Sequence, residues 1–162
     1  MDAQGKNSIE KIIGWGLLAW ELIFKYAYAV FKLKFENGWI EFPKANYEGV
    51  QIDYYLLTIN PTAVRLKFTG FQGDIWFNDI HISNVVVPYQ IIKANAFSGL
   101  KFSFWVSWVT LVNEIITADM ISQFLTGKIF EGSITINGRL LIAGRSVPLK
   151  MQLQLSELKN ED

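Results

Sequence analysis

The sequence predicts an all-β protein, an antiparallel β-sandwich that is preceded by one long hydrophobic α-helix. The apolar pattern is nearly continuous from Ile12 to Phe31 and changes to a period of two after Asn37. Seven or eight short segments of strand character follow, separated by turn signals about every ten residues. The length of 162 residues corresponds to about one domain. The predicted organisation is an N-terminal hydrophobic helix over residues 1–35, a β-sandwich domain over 36–156 and a polar tail over 157–162.

Composition excludes several classes of function. Hydrophobic residues make up 51% of the chain, aromatic residues make up 15% and the mean hydropathy is +0.21, which excludes a disordered protein. Fifteen basic and fifteen acidic residues give a net charge of zero, without the basic surplus of a nucleic-acid-binding protein. Cysteine is absent and His81 is the single histidine, which leaves few groups for thiol, metal or triad chemistry. Phosphate-loop, nucleophile-elbow and zinc-protease motifs are also absent. We therefore predict a non-enzymatic protein with no catalytic residue, no cofactor, no metal ion and no nucleic-acid partner.

The long N-terminal helix follows from a strongly apolar segment. Sixteen of the twenty residues from Ile12 to Phe31 are apolar, and no proline interrupts them. Because Leu, Ala, Glu and Lys favour helix, we predict a helix from about Ser8 to Lys34. Glu21, Lys25 and Lys32 form one polar stripe, and the rest of the helix surface is apolar. We expect protein partners, in a homo-oligomer or a larger assembly, to contact its large apolar side chains: Trp15, Leu18, Trp20, Leu22, Phe24, Tyr26 and Phe31.

The nature of the partner that covers this helix decides the function of the chain. The apolar run is too long for a signal peptide, and no small-residue cleavage site follows it. A bilayer span is disfavoured, because Glu21 and Lys25 would cost about 5 to 7 kcal/mol and the apolar residues would return about 3 to 5 kcal/mol. Packing against other protein subunits is the favoured interpretation. Binding to a membrane and burial against the chain's own sandwich stay open as alternatives.

Segments of alternating polarity predict the strands of the sandwich. The strand that begins at Val50 ends at Asn60-Pro61-Thr62, because proline cannot donate to a sheet ladder and asparagine favours turns. Pro43 is likewise expected to end the first strand. Gly138 is expected inside a strand rather than in a hairpin turn. The predicted elements are strands at 39–42, 50–59, 64–69, 74–77, 80–83, 101–111, 129–143 and 147–155, an extended segment at 90–97 and a short helix at 117–126.

Aromatic residues on these strands divide into core and surface candidates. The longest strand carries Phe102, Trp105 and Trp108, and core packing is the favoured role for its aromatic residues. Trp39 and Trp76 lie on short strands that are expected at the periphery, so they are candidate surface aromatics.

Titratable residues on the strands have structural interpretations. His81 next to Asp79 is more typical of a partly exposed sheet histidine than of an acid–base pair. Asp53, Asp74 and Asp79 are more typical of scattered surface carboxylates than of a cation site.

Several short features follow one another in a recognisable order between Trp39 and Leu155. They are the strand end Asn60-Pro61-Thr62, the short strand Ile80-His81-Ile82, Pro88, the helical Phe124-Leu125-Thr126-Gly127, the strand Ile134-Thr135-Ile136-Asn137-Gly138 and the closing Arg145-Ser146-Val147-Pro148-Leu149. In their order and spacing these features resemble the late embryogenesis abundant type 2 family, the water-stress and hypersensitive-response domain.

The resemblance implies an immunoglobulin-like or fibronectin-like β-sandwich without established catalytic residues. It also implies a binding or protective module, which in this family is often tethered to a membrane by a preceding hydrophobic segment or by a lipid. The chain departs from both kinds of tether. It contains no cysteine that could carry a lipid, and Glu21 and Lys25 interrupt its hydrophobic segment.

Two classes of function follow from these observations. The first is a structural subunit whose sandwich is attached to a larger complex through the N-terminal helix, as in a ring or connector of a virus particle. The second is a membrane-associated, stress-protective or lipid-binding module of the late embryogenesis abundant type 2 kind. The corresponding locations are an assembly such as a virion, or a membrane.

Overall fold

The computed structural model describes residues 3–108 and 132–154 of the chain. The predicted short helix at 117–126 and the predicted tail at 157–162 lie outside these residues. One helix and eight strands form within the described ranges: α1 (Ala3–Lys32), β1 (Lys34–Ala45), β2 (Gly49–Asn60), β3 (Leu66–Phe77), β4 (Ile80–Ile82), β5 (Gln90–Ile92), β6 (Ala96–Ser107), β7 (Ser133–Ile142) and β8 (Arg145–Gln154).

The strands form two antiparallel sheets. The first sheet has the order β1-β2-β6, and the second has the order β4-β3-β7-β8, with β5 paired to β3. Their inner faces share one apolar core, in which Tyr54 and Phe102 of the first sheet and Phe68 and Phe77 of the second are fully buried. The rings of Phe68 and Phe102 lie 6.2 Å apart between centroids, so the two sheets contact each other as layers. The prediction of an all-β, sandwich-like fold is confirmed.

The strand with the most aromatic residues packs largely as predicted. Phe102, Phe104 and Trp108 are buried in the core, whereas Trp105 is half-buried on the opposite face of β6. The indole Nε1 of Trp108 donates to the carbonyl oxygen of Asn46 at 2.7 Å, which satisfies its polar atom inside the core. The core role is confirmed for the three inward-facing rings, and Trp105 lies on the outer face.

Two segments predicted as separate strands, 64–69 and 74–77, contribute to one continuous strand, β3. Gly73 does not end the strand, because it pairs with Gly138 of β7. A Cβ atom at either glycine would lie less than 3 Å from the ring of Phe71, so the missing side chains leave space for this ring. The prediction that Gly138 lies inside a strand is confirmed.

Pro43 lies inside β1, so its prediction as the end of a strand is wrong. Among the described strands, β1 pairs with β2 alone and lies at the edge of its sheet, and its register shifts between Glu41 and Lys44. An edge strand tolerates a proline, because the missing N–H is not needed for pairing on the open side. A second register shift lies at Gly38, whose backbone approaches the Tyr55 carbonyl too closely for any side chain.

The last turn of α1 joins the core of the sandwich. α1 ends at Lys32, earlier than predicted, and the N–H of Leu33 donates to the carbonyl of Val30 at 3.2 Å. Ala29, Val30 and Leu33 are buried in the same cluster as the sheet residues. We call these three residues the base of α1, with Leu33 lying just after the last helical residue, and β1 begins directly after them at Lys34.

The outer edge of β6 is covered by the segment 84–90. Val86 and Ser103 exchange two backbone hydrogen bonds, of 2.7 and 2.9 Å. The side-chain amide of Gln90 donates to the carbonyl of Lys101 at 3.2 Å and accepts from its N–H at 2.9 Å. The amide of Gln90 therefore takes the place of a neighbouring strand at this rung.

Candidate functional site

The exposed part of α1 carries most of the large apolar side chains that are exposed among the described residues. The seven side chains predicted to contact partners have exposed fractions between 41% for Tyr26 and 82% for Phe31. A helix that is apolar on most sides is normally covered by protein or by lipid. Other large apolar side chains of α1 are exposed as well: Ile12, Ile13, Leu17, Ile23 and Tyr28.

The predicted polar stripe of α1 is exposed and leads toward the base. Glu21, Lys25 and Lys32 all lie at the surface. The Nζ atom of Lys32 lies 5.4 Å from the centroid of the Tyr28 ring, within the distance of a cation–π contact. In residues 3–108 and 132–154, no helix combines the length and hydropathy that crossing a membrane requires.

The outer face of the three-stranded sheet carries a second chemically distinct region, the outer-face cluster, which consists of Gln51, Asp53, Tyr55, Lys101 and Ser103. The sheet register pairs Asp53 with Ser103 and Tyr55 with Lys101. Lys101 Nζ lies 2.7 Å from Asp53 Oδ2. Ser103 Oγ and Gln51 Nε2 donate to Asp53 Oδ1 at 2.6 and 3.1 Å. Both carboxylate oxygens are therefore bonded within the sheet, and the Asp53 side chain is 3% exposed.

Hydrogen bonds control the charge state of this cluster. Burial raises the pKa of Asp53, but the hydrogen bonds from its three donors together lower the pKa by more than burial raises it. The pKa of Asp53 therefore lies below its ordinary value. The hydrogen bond with Asp53 raises the pKa of Lys101. Burial is the largest of the effects that raise the pKa of Tyr55. At neutral pH the cluster therefore holds a carboxylate, an ammonium group and a neutral phenol, which suits a stable ion pair.

Trp39, one of the two candidate surface aromatics, extends the outer-face cluster to the edge of the sheet. Its ring stacks on Tyr55 with centroids 4.7 Å apart and planes 8° apart. Trp39 Nε1 and Tyr55 Oη both donate to the carboxylate of Glu41, at 3.3 and 3.1 Å. Gly99 leaves room for the indole, because a Cβ atom there would lie 2.5 Å from the Trp39 ring. Trp39 therefore presents a positioned aromatic ring that is 42% exposed.

Trp76, the other candidate, lies on β3 between β4 and β7, so its expected place on a peripheral strand is wrong. It is half-buried and contacts His81 with ring centroids 5.8 Å apart. His81 Nε2 pairs with Asp74 Oδ1 at 2.8 Å rather than with Asp79, and both paired side chains are about half exposed. Asp53 lies on the other sheet, so the three aspartates do not converge. Among the described residues, no group of three or more metal-ligating side chains was found.

Reasoning from the sequence misses the outer-face cluster. The alternation of β2 places Asp53 and Tyr55 on one face, but the partners come from β6, and their register is not encoded locally. The available signal is that Lys101 and Ser103 also alternate with apolar residues on their strand. Pairing the two polar faces would have brought these residues together.

Comparisons with known proteins bear on the fold. No protein-family model and no curated protein matches the sequence. The crystal structure of a protein from Archaeoglobus fulgidus matches with a TM-score of 0.51 and 13% identity, over 75% of this chain and 94% of that one. The solution structure of a protein from Arabidopsis thaliana aligns with a TM-score of 0.44 and 12% identity, over 74% of this chain and 78% of that one. At such identity, the likeness to the archaeal protein shows a shared fold and nothing about function.

Proposed function

We propose that the chain is a non-enzymatic structural subunit, in which α1 joins the β-sandwich to other copies of the same chain. The observation that carries this proposal is the exposure of large apolar side chains along α1, of which Trp15 is 74% and Phe31 is 82% exposed. Burying such side chains between subunits yields about 1.5 to 3 kcal/mol for each one. A ring or connector of a virus particle is an assembly of this type.

The strand edges support assembly through α1 rather than through the sheets. The β1 edge carries two register shifts and Pro43, and the segment 84–90 covers the β6 edge. Pro148 lies in β8, which is at the edge of the second sheet as far as the described strands go. Such features oppose pairing between strands of different copies. The apolar surface of α1 is then the better route to association.

The test is the molar mass of the full chain in detergent-free buffer, measured by size-exclusion chromatography with light scattering. We expect an oligomer for the natural chain and a monomer for Leu18→Gln/Leu22→Gln, because both leucines are 55% exposed and do not belong to the core. The control is Glu36→Gln, an exposed position on β1 outside the helix, which should leave the molar mass unchanged. A monomeric natural chain at micromolar concentration would overturn the proposal.

A second candidate function is favoured by the lysines near the base of α1. Lys25, Lys32 and Lys34 border a groove there, and an apolar helix with basic residues at one end is typical of proteins that bind at a membrane surface. In this alternative the chain is a membrane-associated module of the late embryogenesis abundant type 2 kind, with an immunoglobulin-like sandwich. Flotation of the full chain with liposomes tests it, and protein that stays in the soluble fraction would contradict it.

A further inference from the structure

A groove of about 870 Å³ lies between α1 and the loop that links β2 to β3. One wall is formed by Phe24, Lys25, Tyr28 and Lys32 of α1, and the other by residues 61–64 of the loop. Lys34, the first residue of β1, closes the groove next to the base of α1. Its volume falls within the range of pockets that hold small molecules.

The charged residues that line the groove are basic. Of the residues that the structure describes, three lysines and no carboxylate line it, although the whole chain is electrically neutral. The nearest carboxylates along the chain are Glu21, one helical turn before Lys25, and Glu36, which follows Lys34 on β1. Three lysines around one opening create a positive potential there, which attracts an anion.

The apolar lining narrows the class of anion. The rings of Phe24 and Tyr28 and the side chains of Pro61, Ala63 and Val64 supply apolar surface beside the ammonium groups. A bare phosphate would leave this surface and most of the volume unused. An anionic headgroup attached to an apolar stem would contact the apolar surface and fill more of the groove. Lysines suit a phosphate, because each acts as a point charge and does not require a planar partner.

We propose that this groove binds the phosphate-bearing headgroup of an anionic phospholipid, with the phosphate among Lys25, Lys32 and Lys34 and the stem along Phe24 and Tyr28. The proposal does not rest on self-association of α1. Lys25 lies beside Leu18 and Leu22, so the two proposals share part of the helix surface and separate variants are needed to test them.

The first experiment measures binding of the full chain to vesicles of phosphatidylcholine with and without phosphatidylglycerol. The variant Lys25→Gln/Lys32→Gln/Lys34→Gln should weaken binding to the anionic vesicles by more than about tenfold. The matched control Lys44→Gln/Arg139→Gln/Lys150→Gln removes the same charge from exposed positions on β1, β7 and β8, and should weaken it by less than about threefold. Equal losses in both variants, or no preference for anionic vesicles, would overturn the proposal.

The second experiment separates the groove from insertion of α1 into a bilayer. A short-chain phosphatidylglycerol below its micelle concentration is titrated into the labelled protein, and amide chemical shifts are followed. We expect saturable shifts at the amides of residues 62–64 that the lysine variant loses. Shifts of the same size with inorganic phosphate at equal ionic strength would indicate that the groove binds a free anion. Tighter binding of an acidic peptide would indicate a protein partner. Either result would overturn the assignment of a lipid ligand. Light scattering on the same variant reports self-association, so failure of one proposal is distinguishable from failure of the other.

Discussion

At the scale of single residues, Asp53 is the most informative position. A carboxylate on the outer face of a sheet is usually solvated, yet this residue is 2% exposed and bonded to three donors. The Lys101 side chain is 34% exposed, so solvent partly screens the ion pair. The polarity of β2 predicts the side on which Asp53 lies, but its burial depends on residues that reach it from β6. The strand is therefore predictable from local sequence, and the ion pair is not.

We expect Asp53→Asn to lower the free energy of unfolding at pH 7 by about 1 to 3 kcal/mol, because Lys101 then faces a neutral amide. The folded-state pKa of Asp53 lies below its ordinary value, so the carboxylate stabilises the fold above the unfolded-state pKa. This contribution is lost as the pH falls through the folded-state pKa. The difference between the natural chain and the variant should therefore shrink between about pH 5 and pH 2. Urea unfolding followed by tryptophan fluorescence at several pH values measures this difference.

The control for this prediction is Glu36→Gln, which removes an exposed carboxylate from β1. It should change the free energy of unfolding by less than about 0.5 kcal/mol. A loss in Asp53→Asn that is the same at pH 7 and at pH 2 would contradict the role of the charged carboxylate.

At the scale of elements, the covering of the β6 edge has a measurable energy. Gln90 forms two hydrogen bonds to the backbone of Lys101, and Gln90→Leu removes both while keeping an apolar stem of similar length. We expect the free energy of unfolding to fall by about 1 to 2 kcal/mol and the amide of Lys101 to exchange its hydrogen faster. Chemical denaturation and hydrogen exchange measure these effects.

Gln72→Leu is the matched control, because Gln72 is exposed on β3, which belongs to the other sheet. It should leave the exchange of the Lys101 amide unchanged. If both variants exchanged at the natural rate, Gln90 would not be the group that closes this edge.

The elements also show where local reasoning succeeds. The strand at 50–59 and its end at Asn60 are predicted well, because the Asn60 side chain donates to the carbonyl of Val64 and accepts from the N–H of Thr62, both within the same turn. β3 is predicted as two pieces, because the pairing of Gly73 with Gly138 depends on a distant strand. The candidate surface on α1 follows from composition alone, whereas the groove beside it requires the loop at 61–64 to be placed against the helix.

At the scale of the whole molecule, α1 has two parts with different roles. Its base belongs to the core, whereas its earlier turns expose apolar side chains. Substitutions at the base should therefore change stability, and substitutions along the earlier turns of α1 should change association.

We expect Leu33→Ala to lower the free energy of unfolding by about 2 to 4 kcal/mol, because the side chain is buried, and to leave the molar mass of the assembly unchanged. Leu18→Gln/Leu22→Gln should instead dissociate the assembly and change the free energy of unfolding of the dissociated protein by less than about 0.5 kcal/mol. Denaturation and light scattering on the same samples separate the two effects. A change in molar mass with Leu33→Ala at a concentration where the protein stays folded would show that the base also forms part of the contact between subunits.

The position of β2 between two partners has a consequence for folding kinetics. β1 precedes β2 by a tight turn, so this hairpin closes a short loop and can form quickly. β6 joins the other side of β2 much later in the chain, with Gly49 opposite Ser107 and Asn60 opposite Ala96. The rate-limiting step should therefore be the pairing of β6 with a preformed hairpin of β1 and β2. Slowing this step would prolong an intermediate in which the edge of β2 is unpaired and prone to aggregate.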